Sequence, residues 1–222
     1  IYKKANLFQY EKIERNNDNY ENKVNKIQTY ENKLGYAKAQ INNMFIVSQT
    51  EDSLILIDQH AAHERIVLEN LKKNYKKRKI LKQVLLLPEI VNIDEGKLLL
   101  LKNKKAISEL GFEFDDYGEN SIIVREIPAI LGKINIDSLF QDLKEQIIVL
   151  GGINPEDSGI ERILSSIACH NSVRAGKKLN IEEMNSILRL MEKTPNSSQC
   201  NHGRPTFVEL RLKDVEALFG RT

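Results

Sequence analysis

Apolar residues are sparse and without period over residues 1–33, an Asn-rich stretch charged in both signs, which reads as a linker or loosely held arm. The pattern changes from Leu34. The runs INNMFIVSQT and SLILIDQH are β-type and are separated by EDS, which predicts a hairpin. From about His60 to Lys79, Ile66, Leu68, Leu71 and Tyr75 recur at roughly helical spacing, so a strand hands over to a helix within DQHAAHE. QVLLLPEIVNI predicts another strand, DEGKLLLLKNKKAISEL a helix closed by Gly111, and FEFDDYGENSIIVREIP a second hairpin turning at DYGEN. Residues from about 83 to 155 thus read as a compact α+β unit. Beyond GGINPEDSG the pattern predicts helices over roughly 158–176 and 180–192, then the loop TPNSSQCNHGRP, the strand TFVELRL and a short last helix DVEALFG. No internal repeat is visible.

Composition narrows the class. With 222 residues, 41% of them apolar, the chain can bury a core as one large domain or two small ones. A formal charge of +2 excludes bulk electrostatics as the means of holding nucleic acid and leaves only local patches. No run approaches about eighteen apolar residues, and the start IYKKANLFQY lacks an h-region and a cleavage pattern, so no membrane is expected and the location is read as cytoplasmic. The first residue, Ile1, suggests a piece of something longer. Two cysteines are too few for a disulfide scaffold and favour metal or thiol chemistry in a reducing compartment.

All four histidines and both cysteines fall in three stretches, DQHAAHE, ACHNSVRAG and CNHGRP. On a helix, residues four apart share a face at about 6 Å, so His60 and Glu64 can bind one ion. Asp58 can join them or orient His60 from outside. Glu69 lies half a revolution off that face and is expected to be an outer or structural residue. Cys200 and His202 are two apart in chain that reads as extended, which would point both side chains to one side. Thiolate and imidazole suit Zn²⁺, while added carboxylates also accept Mn²⁺ or Mg²⁺. Taken singly, an Asp-x-His is usually structural and a buried Cys usually a small core residue. Together they form the mixed set that a zinc-type or two-metal site needs. H-E-x-x-H and Gly-rich phosphate loops are both missing, which argues against a zincin protease and a nucleotide site. A Cys-His hydrolase built on Cys169 or Cys200 stays open, without a clear oxyanion hole.

These stretches resemble the C-terminal domain of the MutL family of DNA mismatch-repair proteins, in its endonuclease-bearing form. DQHAAHERIVLE matches the family's DQHA-x2-E-x4-E signature through Asp58, Gln59, His60, Ala61, Glu64 and Glu69. CNHGRP matches C-[PN]-H-G-R-P, and FGR at Phe219 to Arg221 is similar to its terminal F-x-R. ACH stands where the family reads A-C-R, so Cys169 is kept and His170 departs; His63 fills a position the signature leaves free. The match spans roughly residues 34–222. It implies an α/β (α+β) fold in two subdomains, a discontinuous dimerisation subdomain of 34–82 and 156–222 carrying the metal site, with a regulatory subdomain of 83–155 inserted.

The resemblance also implies a chemistry. The expected activity is metal-dependent hydrolysis of a DNA phosphodiester, leaving a nick, by a homodimer. The expected ligands are Asp58, His60, Glu64, Cys169, Cys200 and His202 for Zn²⁺ and/or Mn²⁺, with Asp58, His60 and Glu64 catalytic. Gln59, Glu69, Arg204 and Arg221 are expected around them, the arginines on DNA phosphate or on the loop itself. QVLLLP resembles the peptide with which this family docks on the replication sliding clamp, implicating Gln83, Leu85, Leu86 and Pro88. ATP and a mismatch-recognition protein would act through an upstream region. LKKNYKKRKILK, residues 71–82, holds seven Lys or Arg and no acid, and could meet DNA phosphates or merely be a solvated face. Two contrasting readings are a dimerisation module with a structural zinc, and a metal hydrolase acting on a small substrate in a deep pocket.

Overall fold

The computed structural model describes residues 32–93, 95–153, 159–170 and 177–221. The arm assigned to 1–33 lies almost wholly outside them, as does the extension of a helix past His170 to residue 176. Two antiparallel sheets organise the chain. Strands β1 (Tyr36–Ile41), β2 (Phe45–Gln49), β3 (Ser53–Asp58) and β7 (Phe207–Arg211) form a four-stranded sheet in the order β1-β2-β3-β7. Strands β4 (Lys82–Asn92), β5 (Glu113–Tyr117) and β6 (Ser121–Pro128) form a second, in the order β4-β6-β5.

The hairpin of β2 and β3 is in place, and a further strand precedes it. Asn42 and Asn43 take left-handed φ values of 50° and 54°, and the Met44 amide donates to the Ile41 carbonyl at 2.9 Å. Asparagine tolerates this region, so an Asn-Asn pair ends β1 inside what reads as one continuous run. In the first sheet the period of two sends Ile46, Ile55 and Ile57 inward against Ala62 of α1 (Gln59–Lys76) and against Met184, Ile187, Leu188 and Met191 of α6 (Ile181–Lys193). A capping box between Asn180 and Glu183 starts α6.

The second core unites Val91, Phe114, Ile122 and Val124 of its sheet with Val67, Leu68 and Leu71 of α1. It also takes Leu139, Phe140, Leu143 and Ile147 of α4 (Ile136–Leu150), and Ile163, Leu164, Ile167 and Ala168 of α5 (Gly159–His170). Phe140 meets Phe112 and Phe114 edge-on, each with ring centroids 5.6 Å apart. α1 therefore crosses from one core to the other along its own length. α4 is absent from the predicted elements, although Asn135 caps it and its buried positions recur at helical spacing.

The helix predicted to run up to Gly111 is corrected to two short ones, α2 (Lys97–Lys102) and α3 (Lys104–Glu109). Asn103 breaks it: its side chain donates to the Leu99 carbonyl at 2.8 Å and accepts from the Ile153 amide at 2.9 Å. Gly111 does close α3, at φ 95°. The last helix, α7 (Leu212–Leu218), follows β7 directly and buries no residue. None of the described helices is long and apolar enough to cross a membrane.

Candidate thiol and carboxylate site

β3 delivers the chain to α1 at Asp58, whose carboxylate accepts from the Ala61 amide at 3.0 Å and so caps the helix. One turn on, His60 Nε2 lies 3.2 Å from the carboxylate of Glu64, which is buried. The i, i+4 spacing puts both on one helix face. Opposite them stands Cys169, one residue from the end of α5. Burial and then the charge of Glu64 push its thiol up to about 11, the nearby Cys200 adds to this, and a bond from the Asn201 amide opposes it. Cys200 is buried, and its sulfur accepts from the His202 amide at 3.4 Å. Three stretches far apart in the chain thus place the His60 and Glu64 pair next to Cys169, and Cys169 next to Cys200.

The loop carrying Cys200 is a turn, which corrects the expectation of extended chain. Gly203 donates to the Cys200 carbonyl at 3.0 Å and Cys200 to the Arg204 carbonyl at 2.7 Å, with Gly203 at φ 76°. Cys200 therefore points inward while His202 is exposed. Arg65, which the sequence reading passed over, holds this loop. Its guanidinium donates to the carbonyls of Gln199 and Cys200, both at 2.7 Å, and pairs with Glu69 at 3.1 Å. Its only sequence signal is its place beside Glu64 in the motif.

The remaining expected residues divide. Gln59 is buried in a structural network with Gln40, whose side chain reaches the Lys177 carbonyl and the Leu179 amide. Arg204 and Arg221 are exposed. His170 Nε2 meets Asp142 of α4 at 2.6 Å. No hydrogen bond or ion pair among the described residues joins Asp58 to Glu64 or the cysteines. Asp58 instead ends the outer row of β3 and borders a small apolar depression with Phe45, Leu56 and Val208.

A metal can be tested on the donors themselves. His60 Nδ1 is buried without a hydrogen-bond partner, and two thiols, a carboxylate and an imidazole are a zinc-compatible set. Among the described residues no three His, Cys, Asp or Glu side chains are grouped closely enough to hold one ion, and the closest approach of an imidazole to a carboxylate at this site is His60 Nε2 to Glu64 at 3.2 Å. The residues fit such an ion in kind.

The clamp-like peptide lies on β4. Gln83 and Val84 pair with Ile127 and Glu126, pairing resumes at Glu89 opposite Val124, and residues 85–88 leave the ladder between. Leu86 and Leu87 are 86% and 81% exposed, whereas Leu85 packs onto the second core. Leu85 is thus not the outward anchor expected of it.

Fold and site together define a two-sheet α+β domain in which the buried Glu64 and Cys200, the partly buried Cys169 and the half-exposed His60 lie at the junction of its two cores. The chain belongs to the family described as the MutL C terminal dimerisation domain, whose profile matches residues 38–179. It is 50% identical over 191 residues to the DNA mismatch repair protein MutL of Rickettsia bellii (strain OSU 85-389), covering 85% of this chain and 31% of that protein. Against the DNA mismatch repair protein MutL of Bradyrhizobium sp. (strain ORS 278), identity is 49% over 189 residues. The chain spans about a third of the length of the curated relatives it matches, 31% in each of these two.

Proposed function

We propose that the chain is the homodimerising and DNA-nicking part of a mismatch-repair protein, with a metal-dependent site on His60, Glu64, Cys169 and Cys200. The observation that supports this is the pairwise approach of His60 to Glu64, of Glu64 to Cys169 and of Cys169 to Cys200, from three separate stretches in a chain of this family. A bound Zn²⁺ or Mn²⁺ would supply charge for the phosphate and acidify a water. The protein's own part is positional: α1 fixes His60 and Glu64, Arg65 clamps the Cys200 loop against α1, and Asn201 holds Cys169 by a 3.9 Å contact. His202, exposed at the mouth, and Asp58, at the helix start, are the proposed additional ligands.

The dimer face is proposed on the first sheet's outer side. Val47, Leu56 and Val208 sit in register across β2, β3 and β7, with Leu54 paired to Leu210 beside them. The exposed apolar residues of that side make a patch that a second copy would cover. The register break at 85–88 is proposed to present Leu86 to the sliding clamp, with Gln83 and Pro88 flanking it. DNA is the substrate in this reading, while ATP and the mismatch-recognition partner act through the rest of the longer protein.

The test is nicking of supercoiled plasmid with Mn²⁺, with and without sliding clamp, comparing the parent with Glu64→Gln and Asp58→Asn. Loss of metal-dependent nicking in both variants is expected. Equal inactivity of parent and variants, with stoichiometric zinc retained, would leave the reading of a dimerisation module with structural zinc. Burial of both Glu64 and Cys200 favours that second reading.

A further inference from the structure

An open cleft of about 600 Å³ runs from Cys169 between α1 and α5, and neither the thiol and carboxylate cluster nor the dimer face accounts for it. On α5 it is lined by Glu161 and by Arg162, Ser165, Ser166 and Cys169, the last four spaced i, i+3, i+4 and i+7, so one helix stripe leads from a guanidinium past two hydroxyls to the cluster. Lys72 of α1 lies across from Arg162. Seven residues of helix put Arg162 about 10 Å from Cys169 along the axis.

Most charges in the cleft are already engaged. Arg65 is held by loop carbonyls and Glu69, Asp142 by His170, and Lys72 by Glu161 at 2.9 Å and more loosely by Glu69 at 3.6 Å. Arg162 is exposed and has no ion-pair partner among the described residues. Glu161 is informative in another way. Its side chain is 63% exposed, yet the hydrogen bond and charge of Lys72, helped by Lys76 and Arg65, hold its carboxyl below the usual range. An anion is therefore favoured at that point of the cleft, and the chain supplies its own.

We propose that this cleft is the track for the phosphodiester backbone next to the bond that is cut, with Arg162 and Lys72 as phosphate-binding residues and Glu161 occupying a phosphate position in the free protein. This rests on the nicking reading for the identity of the strand. Arginine with neighbouring hydroxyls is suited to phosphate oxygens, and such contacts position a strand without reading its sequence. On binding, the phosphate displaces the Glu161 carboxylate from Lys72. Glu161 then acts as an internal competitor, so removing its charge strengthens binding.

The experiment measures the affinity of the whole chain for a short labelled DNA duplex in chelator, over a series of salt concentrations. Arg162→Ala is expected to weaken binding about tenfold and to lower the log–log salt slope by about one. Glu161→Gln is expected to tighten binding by about threefold or more. If both variants bind as the parent does, or no chain binds the duplex at low salt, the track is overturned, whether or not the parent nicks plasmid. If both variants respond as stated while the parent never nicks with Mn²⁺, the cleft stands as a DNA-backbone site, and its place beside a cut bond falls with the nicking reading.

Discussion

The two sheets expose apolar surface in opposite ways. In the first, regular pairing carries Val47, Leu56 and Val208 side by side on one face, so the patch is broad and follows from the period of two alone. In the second, the inner residues of β6 are covered by helices, and the outward leucines appear where four residues of β4 oppose one of β6. A regular face suits a second copy of the same surface, while a broken edge strand offers a short peptide. The cluster of Glu64, Cys169 and Cys200 lies where the two halves join, since α1 and α5 enter the second core and the Cys200 loop leads into β7.

The sharpest way to break the comparison is a charge in each patch. Leu56→Glu is expected to raise the dimer dissociation constant more than 100-fold, read by sedimentation equilibrium, because two buried carboxylates would face each other across a symmetric contact. Circular dichroism should stay unchanged, as Leu56 packs outward. Leu86→Glu is expected to leave the dimer intact and lower clamp affinity about 30-fold in a surface-binding measurement. Loss of dimerisation in the second variant, or of clamp binding alone in the first, would reverse the assignment of the two surfaces.

The junction gives the next two effects. Arg65→Ala removes two charge-assisted bonds to loop carbonyls and is expected to cost about 2 kcal/mol of unfolding free energy in denaturant. It should also make Cys200 more reactive to alkylation. Cys169 tests the local field. With its thiol pushed up to about 11, the metal-free protein should alkylate there far more slowly at pH 8 than an ordinary cysteine, the rate still rising beyond pH 9. Because the folded state holds this proton more tightly, the site's stability is intact below the ordinary thiol range and falls as pH rises from there through 11. Mass-spectrometric mapping of the modified cysteine across that range checks the direction.

What could be read from the chain follows the reach of each interaction. His60 and Glu64 were legible because four residues of helix fix their separation. The two hairpins, at EDS and DYGEN, were legible for the same local reason. Cys200 and His202 were misread because two backbone bonds and Gly203 curl the loop, and a spacing of two carries no trace of that. Arg65 was missed since its partners are backbone carbonyls more than a hundred residues away. α4 is a different failure. Its cap and its buried positions at 136, 139, 140, 143 and 147 are all written in the sequence.

The smallest predicted effect separates two roles of one residue. Asp58 caps α1 through its 3.0 Å bond to the Ala61 amide, and it is also proposed as a ligand. Asparagine caps about as well as aspartate, whereas alanine costs about 1 kcal/mol. Asp58→Asn should therefore unfold at the parent's denaturant midpoint, and Asp58→Ala at a lower one. If nicking is lost equally in both, the carboxylate acts in the chemistry. If Asp58→Asn nicks normally and Asp58→Ala does not, the residue serves the site only by starting the helix that carries His60 and Glu64. The outer row of the first sheet would then end in a structural residue, and the chemistry would belong to the junction alone.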